Sequence, residues 1–199
     1  MKSLLTGALL KIAISIALYF LAFLPMSYLP DLLINNDYST FFYLPTGIKV
    51  LCVLLFDVWG ALGIAVGVLI RQSIQHPEFG LTLPLMIALE NAIVFWATVE
   101  LALRSMGVGR DIKNITYLKI IGLALFCSFI HGFSYTFVLF EFNAISSGNY
   151  LRESLVTVIA GFFGTMATVL ALSFSIKHSL WIQRHMRIIE NDSSDYTSS

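Results

Sequence analysis

The chain has 199 residues, of which 57% are hydrophobic and 12% charged, with a formal net charge of zero. Mean hydropathy is +0.82. A water-soluble domain carries about 25% charged residues, so this composition cannot clothe a globule in polar surface. A soluble domain is excluded, and an all-α polytopic membrane bundle over 1–189 with a polar tail over 190–199 is expected.

A helix needs about 20 apolar residues to cross roughly 30 Å of hydrocarbon, and the sequence offers six candidate runs. The segment from Met1 to Met26 begins like a secretory signal. Its apolar run is too long, Lys11 interrupts it, and no small-x-small cleavage site follows. A retained first helix is therefore expected over Ile12–Tyr28. The loop Pro30–Thr40, PDLLINNDYST, ends it. The second and third runs, Phe41–Phe56 and Val58–Gln72, meet at Asp57. The purely apolar part of the third, Val58–Ile70, is short, so spanning requires local thinning or snorkelling of Arg71. The alternative is a re-entrant hairpin over 41–72, which needs a protein-lined cavity. The remaining runs are Leu81–Leu103, Tyr117–Leu139 and Leu155–Ile176. The last can continue to Ile189, with basic residues suited to anionic headgroups. The tail ENDSSDYTSS is expected to be disordered.

Lysine and arginine set the orientation. One side of the proposed topology holds Lys2, Lys11, Arg104, Arg110, Lys113, Lys119, Lys177, Arg184 and Arg187. The other holds only Arg71 and Arg152, together with Asp31, Asp37, Glu78, Glu141 and Glu153. This asymmetry places both termini in the cytoplasm.

Depth along the helices picks out the residues that could carry chemistry. Helices two and four run in the same direction, which puts Lys49, Glu90 and Asn91 near the same midplane. An unpaired charge there costs several kcal/mol, and a Lys49–Glu90 pair removes that cost. Such a pair is either a functional polar core or a device that fixes helix packing. His131, with Ser128, Gly132 and Ser134 close by in sequence, is either a titrating group or a hydrogen-bonded interior histidine. Glu100 and Arg104 share one helix face and should form a salt bridge. Asp57 is placed to cap helix three.

Pro45, Thr46 and Gly47 form the mouth of helix two, where proline is tolerated in the first turn. Gly60, Gly63 and Gly67 on helix three, and Ala160, Gly161, Gly164, Ala167 and Ala171 on helix six, are small-residue stripes for close helix packing. The same stripes are compatible with a homodimer. Trp59 and Trp181 suit an interfacial belt.

No nucleophile turn, phosphate-binding glycine loop or HExxH is present, and no enzymatic activity is expected. Without CxxC or a Cys/His cluster no metal is indicated, and the sequence names no cofactor. Cys52 and Cys127 lie in apolar runs and read as small buried apolar residues. The basic residues follow the membrane rule, so the bilayer is the implied partner and nucleic acid is not.

Tyr43-Leu44-Pro45-Thr46-Gly47-Ile48 resembles the Trp-Pro-x-x-Gly-Ile that heads a helix in bacterial membrane-associated sensor domains of the MASE type. A tyrosine stands for the tryptophan and Leu44 for the first proline. The apolar run, the Trp59-Gly60 turn and the glycine-rich helix that follow are similar to that family's pattern. So are ALENAIVFWATVELALR at Ala88–Arg104 and AGFFGTMATVLAL at Ala160–Leu172. Lys49 departs from the motif, and no cyclase, phosphodiesterase or kinase domain follows. The resemblance implies a sensor-like module of a bacterial inner membrane. It would detect a small ligand or a membrane state through the outer half of helices two, four and five. It would signal through helix six to a separate cytoplasmic or membrane protein. The rival expectation is the substrate-binding subunit of a vitamin-type transporter, docking an ATPase partner on helix three's small-residue face. A ligand-free assembly factor is the third.

Overall fold

The computed structural model describes residues 2–28, 39–108 and 116–196. Most of the loop Pro30–Thr40 lies outside the described residues, with Asp31 and Asp37, as do Arg110 and Lys113. So do the side chains of residues 175–199, including Lys177, Trp181, Arg184 and Arg187.

Among the described residues the fold is all-helical, without a strand. We label the helices α1 (Lys2–Leu21), α2 (Pro45–Phe56), α3 (Val58–Gln75), α4 (Thr82–Ser105), α5 (Tyr117–Glu141) and α6 (Tyr150–Tyr196). Among the described residues four segments are long and apolar enough to cross a membrane: Val58–Gln75, Thr82–Ser105, Tyr117–Glu141 and Ser147–Leu172. Leu5–Leu21 and Pro45–Phe56 are apolar but shorter. Leu5, Leu10, Phe129, Phe137, Phe163 and Leu170 all point outward. A soluble monomer rarely exposes contiguous apolar patches of that extent; a lipid environment accepts them.

Several boundaries differ from the sequence expectation, each for a physical reason. α1 covers Lys2–Leu21 instead of Ile12–Tyr28, and a 3₁₀ turn at Pro25–Tyr28 follows it. Pro25 brings no N–H to the ladder and its ring crowds the carbonyl four residues back. Lys11 thus lies inside α1, on an exposed face. α2 starts at Pro45 rather than Phe41, with proline's fixed φ preset for a first turn. Phe41–Leu44 form a non-helical approach, tied down where the Tyr43 N–H donates to the Ala160 carbonyl of α6 at 3.2 Å. α2 is therefore the short element, twelve residues or about 18 Å. α3 is the longer one, because it carries Arg71 and Gln72 onward to Gln75. α6 continues past Ile189 to Tyr196, into the stretch read as a disordered tail. Once nucleated, a helix gains one hydrogen bond per added residue.

Asp57 stands at the junction of α2 and α3 with φ 56° and ψ −134°, and its side chain makes no capping bond to α3. The expected cap is replaced by a tertiary bond: the Trp96 indole N–H donates to Asp57 Oδ1 at 2.9 Å. The α2–α3 turn is thereby fastened to the middle of α4. Glu100 and Arg104 meet as a salt bridge at 2.8 Å.

The small residues sit at close approaches between helices. A methyl on Gly63 would meet Ser15 Cβ at 2.6 Å, and one on Gly67 the Tyr19 ring at 2.8 Å, so both glycines face α1. Gly60 abuts the Cys52 carbonyl of α2. Gly161 faces Ser128 and Thr46, while Gly164 abuts the Tyr43 carbonyl and lies against Gly47. These backbones touch because no side chain separates them.

The buried apolar side chains form two clusters. One gathers Val50, Val53, Phe95, Val99, Leu123 and Cys127. The other gathers Tyr19, Cys52, Ile64, Leu83, Ile87 and Leu139. On α4 the clusters end at Ala88 and begin again at Phe95, and on α5 they are separated by the stretch between Cys127 and Leu139. Polar side chains occupy that gap. Both cysteines are buried and free.

Candidate ligand site

The polar layer is built from three helices. Lys49 comes from α2, Glu90 and Asn91 from α4, His131 and Ser134 from α5. Lys49 is 3% exposed, Glu90 5%, Asn91 1% and His131 4%. The sequence places Lys49 and Glu90 at one depth, and the structure inserts His131 between them. Lys49 Nζ lies 3.3 Å from His131 Nε2, and His131 Nδ1 lies 2.8 Å from Glu90 Oε1. A lysine ammonium has only donors and a carboxylate only acceptors. The arrangement is satisfied by a neutral imidazole that accepts at Nε2 from Lys49 and donates from Nδ1 to Glu90. One positive and one negative charge are thus joined through a ring that fixes their separation.

Glu90 is further held. Ser134 Oγ donates to Oε1 at 2.6 Å and Asn91 Nδ2 to Oε2 at 2.9 Å. Asn91 Nδ2 also donates to the Ile87 carbonyl at 2.8 Å. With both amide hydrogens used, Asn91 Oδ1 must be the outward acceptor, and it is buried without a partner. Phe95 packs edge-on against the His131 ring at 5.3 Å between centroids.

The local backbone explains how two adjacent residues, Glu90 and Asn91, both face inward. The chain is π-helical over Glu90–Phe95, between α-helical Thr82–Leu89 and Trp96–Ser105. A π segment carries an extra residue per turn and shifts the facing of what precedes it; such segments recur at functional sites.

A cavity of about 280 Å³ adjoins this layer. Its deep wall includes Lys49, Asn91 and His131, and it extends to Met26, Ser39, Gln75 and His76 at the helix ends. Tyr19, Phe23, Tyr43 and Tyr135 supply aromatic walls, and Arg71 and Gln72 project from α3. The Arg71 guanidinium carbon lies 3.7 Å above the Phe23 ring centroid, a cation–π contact. Gln72 Oε1 is a second buried polar atom without a partner.

Of the residues singled out in the sequence, Lys49, Asn91 and His131 reach the cavity, and Glu90 stands behind His131. Pro45, Thr46 and Gly47 are buried elsewhere, on the seam with α6. Sequence reasoning missed Arg71 as a cavity residue: its position near a helix end reads as snorkelling, and only the packing on Phe23 turns it inward. The tyrosines were missed as well, since an aromatic in an apolar run has no signal of which way it faces.

No protein-family model, curated protein or solved structure gives a significant match to this chain.

Proposed function

We propose that this chain is a sensory module of a bacterial inner membrane, a multi-pass bundle with both termini cytoplasmic. It takes a small ligand in the cavity beside Lys49, Asn91 and His131. It reports occupancy through α6 to a separate protein partner. The observation that carries this reading is the course of α6. Thr157 and Ala160 of that helix line the cavity, and the same helix continues from its apolar part, ending at Leu172, unbroken to Tyr196. That is about 35 Å of helix beyond the apolar part. A continuous helix that lines the cavity at one end and runs on past its apolar part at the other can transmit a small displacement.

The transport reading needs the small-residue face of α3 for its ATPase partner. Gly63 and Gly67 on that face are covered by α1. The two readings separate on purification of the full chain from native membranes into lipid nanodiscs, followed by native mass spectrometry. The sensory reading expects a bound small molecule and no ATPase. A stoichiometric ATPase subunit would overturn it.

A further inference from the structure

The cavity is charge-asymmetric and unsatisfied in a definite pattern, and this pattern names a ligand class. Two cations line it, Lys49 and Arg71. Lys49 is compensated by Glu90 through His131. Arg71 lies over Phe23, and among the described residues no carboxylate comes within ion-pair distance of it. The nearby acids are engaged: Glu78 meets His76 at 3.2 Å, and Glu153 accepts from Ser39 at 2.7 Å. A guanidinium beside an aromatic-walled cavity in a low-dielectric bundle favours an anionic oxygen group, which its planar fork can bind through two hydrogen bonds. At the deep end the requirement is the reverse. Asn91 Oδ1 is an acceptor whose orientation is fixed by its two N–H bonds, is fully buried, and lacks a donor. Tyr19, Tyr43 and Tyr135 also line the cavity and give it aromatic walls against which an aromatic body packs.

We infer that the cavity binds a small aromatic or planar organic anion, its carboxylate or phosphate held by Arg71 and an N–H or O–H donor presented to Asn91. This rests on the ligand-binding reading above and specifies it. A cavity of about 280 Å³ holds roughly nine water volumes at about 30 Å³ each, so the occupant inside it has about ten non-hydrogen atoms. The same anionic chemistry could reach Arg71 from a lipid headgroup, and the test separates the two sources.

The full chain in phosphatidylcholine nanodiscs is titrated with 4-aminobenzoate, with its neutral analogue 4-aminobenzamide, and with benzoate, which lacks the donor. The aminobenzoate should bind more tightly than either. Arg71→Gln should weaken it by about tenfold or more, the scale of a charge-assisted hydrogen bond, and equalise acid and amide. Arg71→Lys should retain a preference for the acid. Asn91→Leu should equalise aminobenzoate and benzoate. A thermal shift that appears only with phosphatidylglycerol, and vanishes in Arg71→Gln, assigns the anion to a lipid headgroup and overturns the aromatic ligand class. Equal binding of acid and amide overturns the inference, as does an Arg71→Gln variant indistinguishable from wild type toward both the acid and phosphatidylglycerol. A bound neutral molecule in native mass spectra would then leave the ligand-binding reading standing, whereas its absence would end both.

Discussion

Lys49 is the residue around which the site is arranged. An ammonium in the middle of an apolar helix persists because His131 and Glu90 meet it in line. Removing one end of such an assembly strands the other. Glu90→Gln should therefore destabilise the chain by about 3–5 kcal/mol, the usual cost of breaking a buried pair by deleting one partner. Thermal unfolding in detergent measures it. Lys49→Met combined with Glu90→Gln should recover most of that loss, since an apolar replacement of both charges is often neutral. If the double variant is stable yet no longer retains its ligand, the charges serve binding; if it retains the ligand, they serve packing. The sequence reveals this much of the site: a ruler of about 20 residues per span brings Lys49 and Glu90 to one depth. It does not reveal His131 as the link. Depth follows from position along a helix, but facing depends on how each helix is rotated in the bundle, which periodicity cannot show when every face is apolar. Arg71 was hidden for the same reason.

At the scale of elements, the π segment Glu90–Phe95 decides which α4 residues face inward. ENAIVF contains no proline or glycine, so nothing in it marks a departure from α-helix. Ile93 is 61% exposed and contributes nothing to the core. Deleting it should close the segment to plain α-helix and leave Thr82–Leu89 and Trp96–Ser105 in their present facing, because the π turn holds one extra residue that the deletion removes. Only the residues between Glu90 and Trp96 would shift. Ile93→Ala should be silent, and comparing the two by thermal unfolding isolates the π turn from side-chain loss. The α1–α3 seam offers a second test. Gly67→Leu would drive a side chain into Tyr19 and should cost about 1–3 kcal/mol by overpacking. Gly7→Ala, inside α1 where a methyl meets nothing within 4 Å, should stabilise by up to about 1 kcal/mol. The facing ends of α1 and α2 were misplaced, at Tyr28 instead of Leu21 and at Phe41 instead of Pro45, because the apolar runs continue through Pro25 and Pro45 while proline's covalent geometry does not let a helix do so.

For the whole molecule, the proposed topology rests on charge. Lysine and arginine are biased to one set of the proposed connections, which favours an even number of crossings between cytoplasmic termini. Fluorescent-protein fusions should therefore glow at both ends and alkaline phosphatase fusions at both ends should stay inactive. An active phosphatase fusion at one end alone would require an odd number of crossings, and activity at both ends would invert the topology. The membrane class was legible from composition alone. The cavity was not, since it depends on Tyr19, Arg71, Asn91 and Thr157, side chains from four helices, converging on one space. Under the proposed function this space holds a small ligand read by α6. Native mass spectrometry of the nanodisc-embedded full chain, wild type beside Thr157→Phe, decides this. The wild type should carry a stoichiometric small-molecule mass that is lost when the phenylalanine fills the cavity from α6. A wild-type chain that carries no such mass, or a bound mass that the substitution leaves in place, would contradict it.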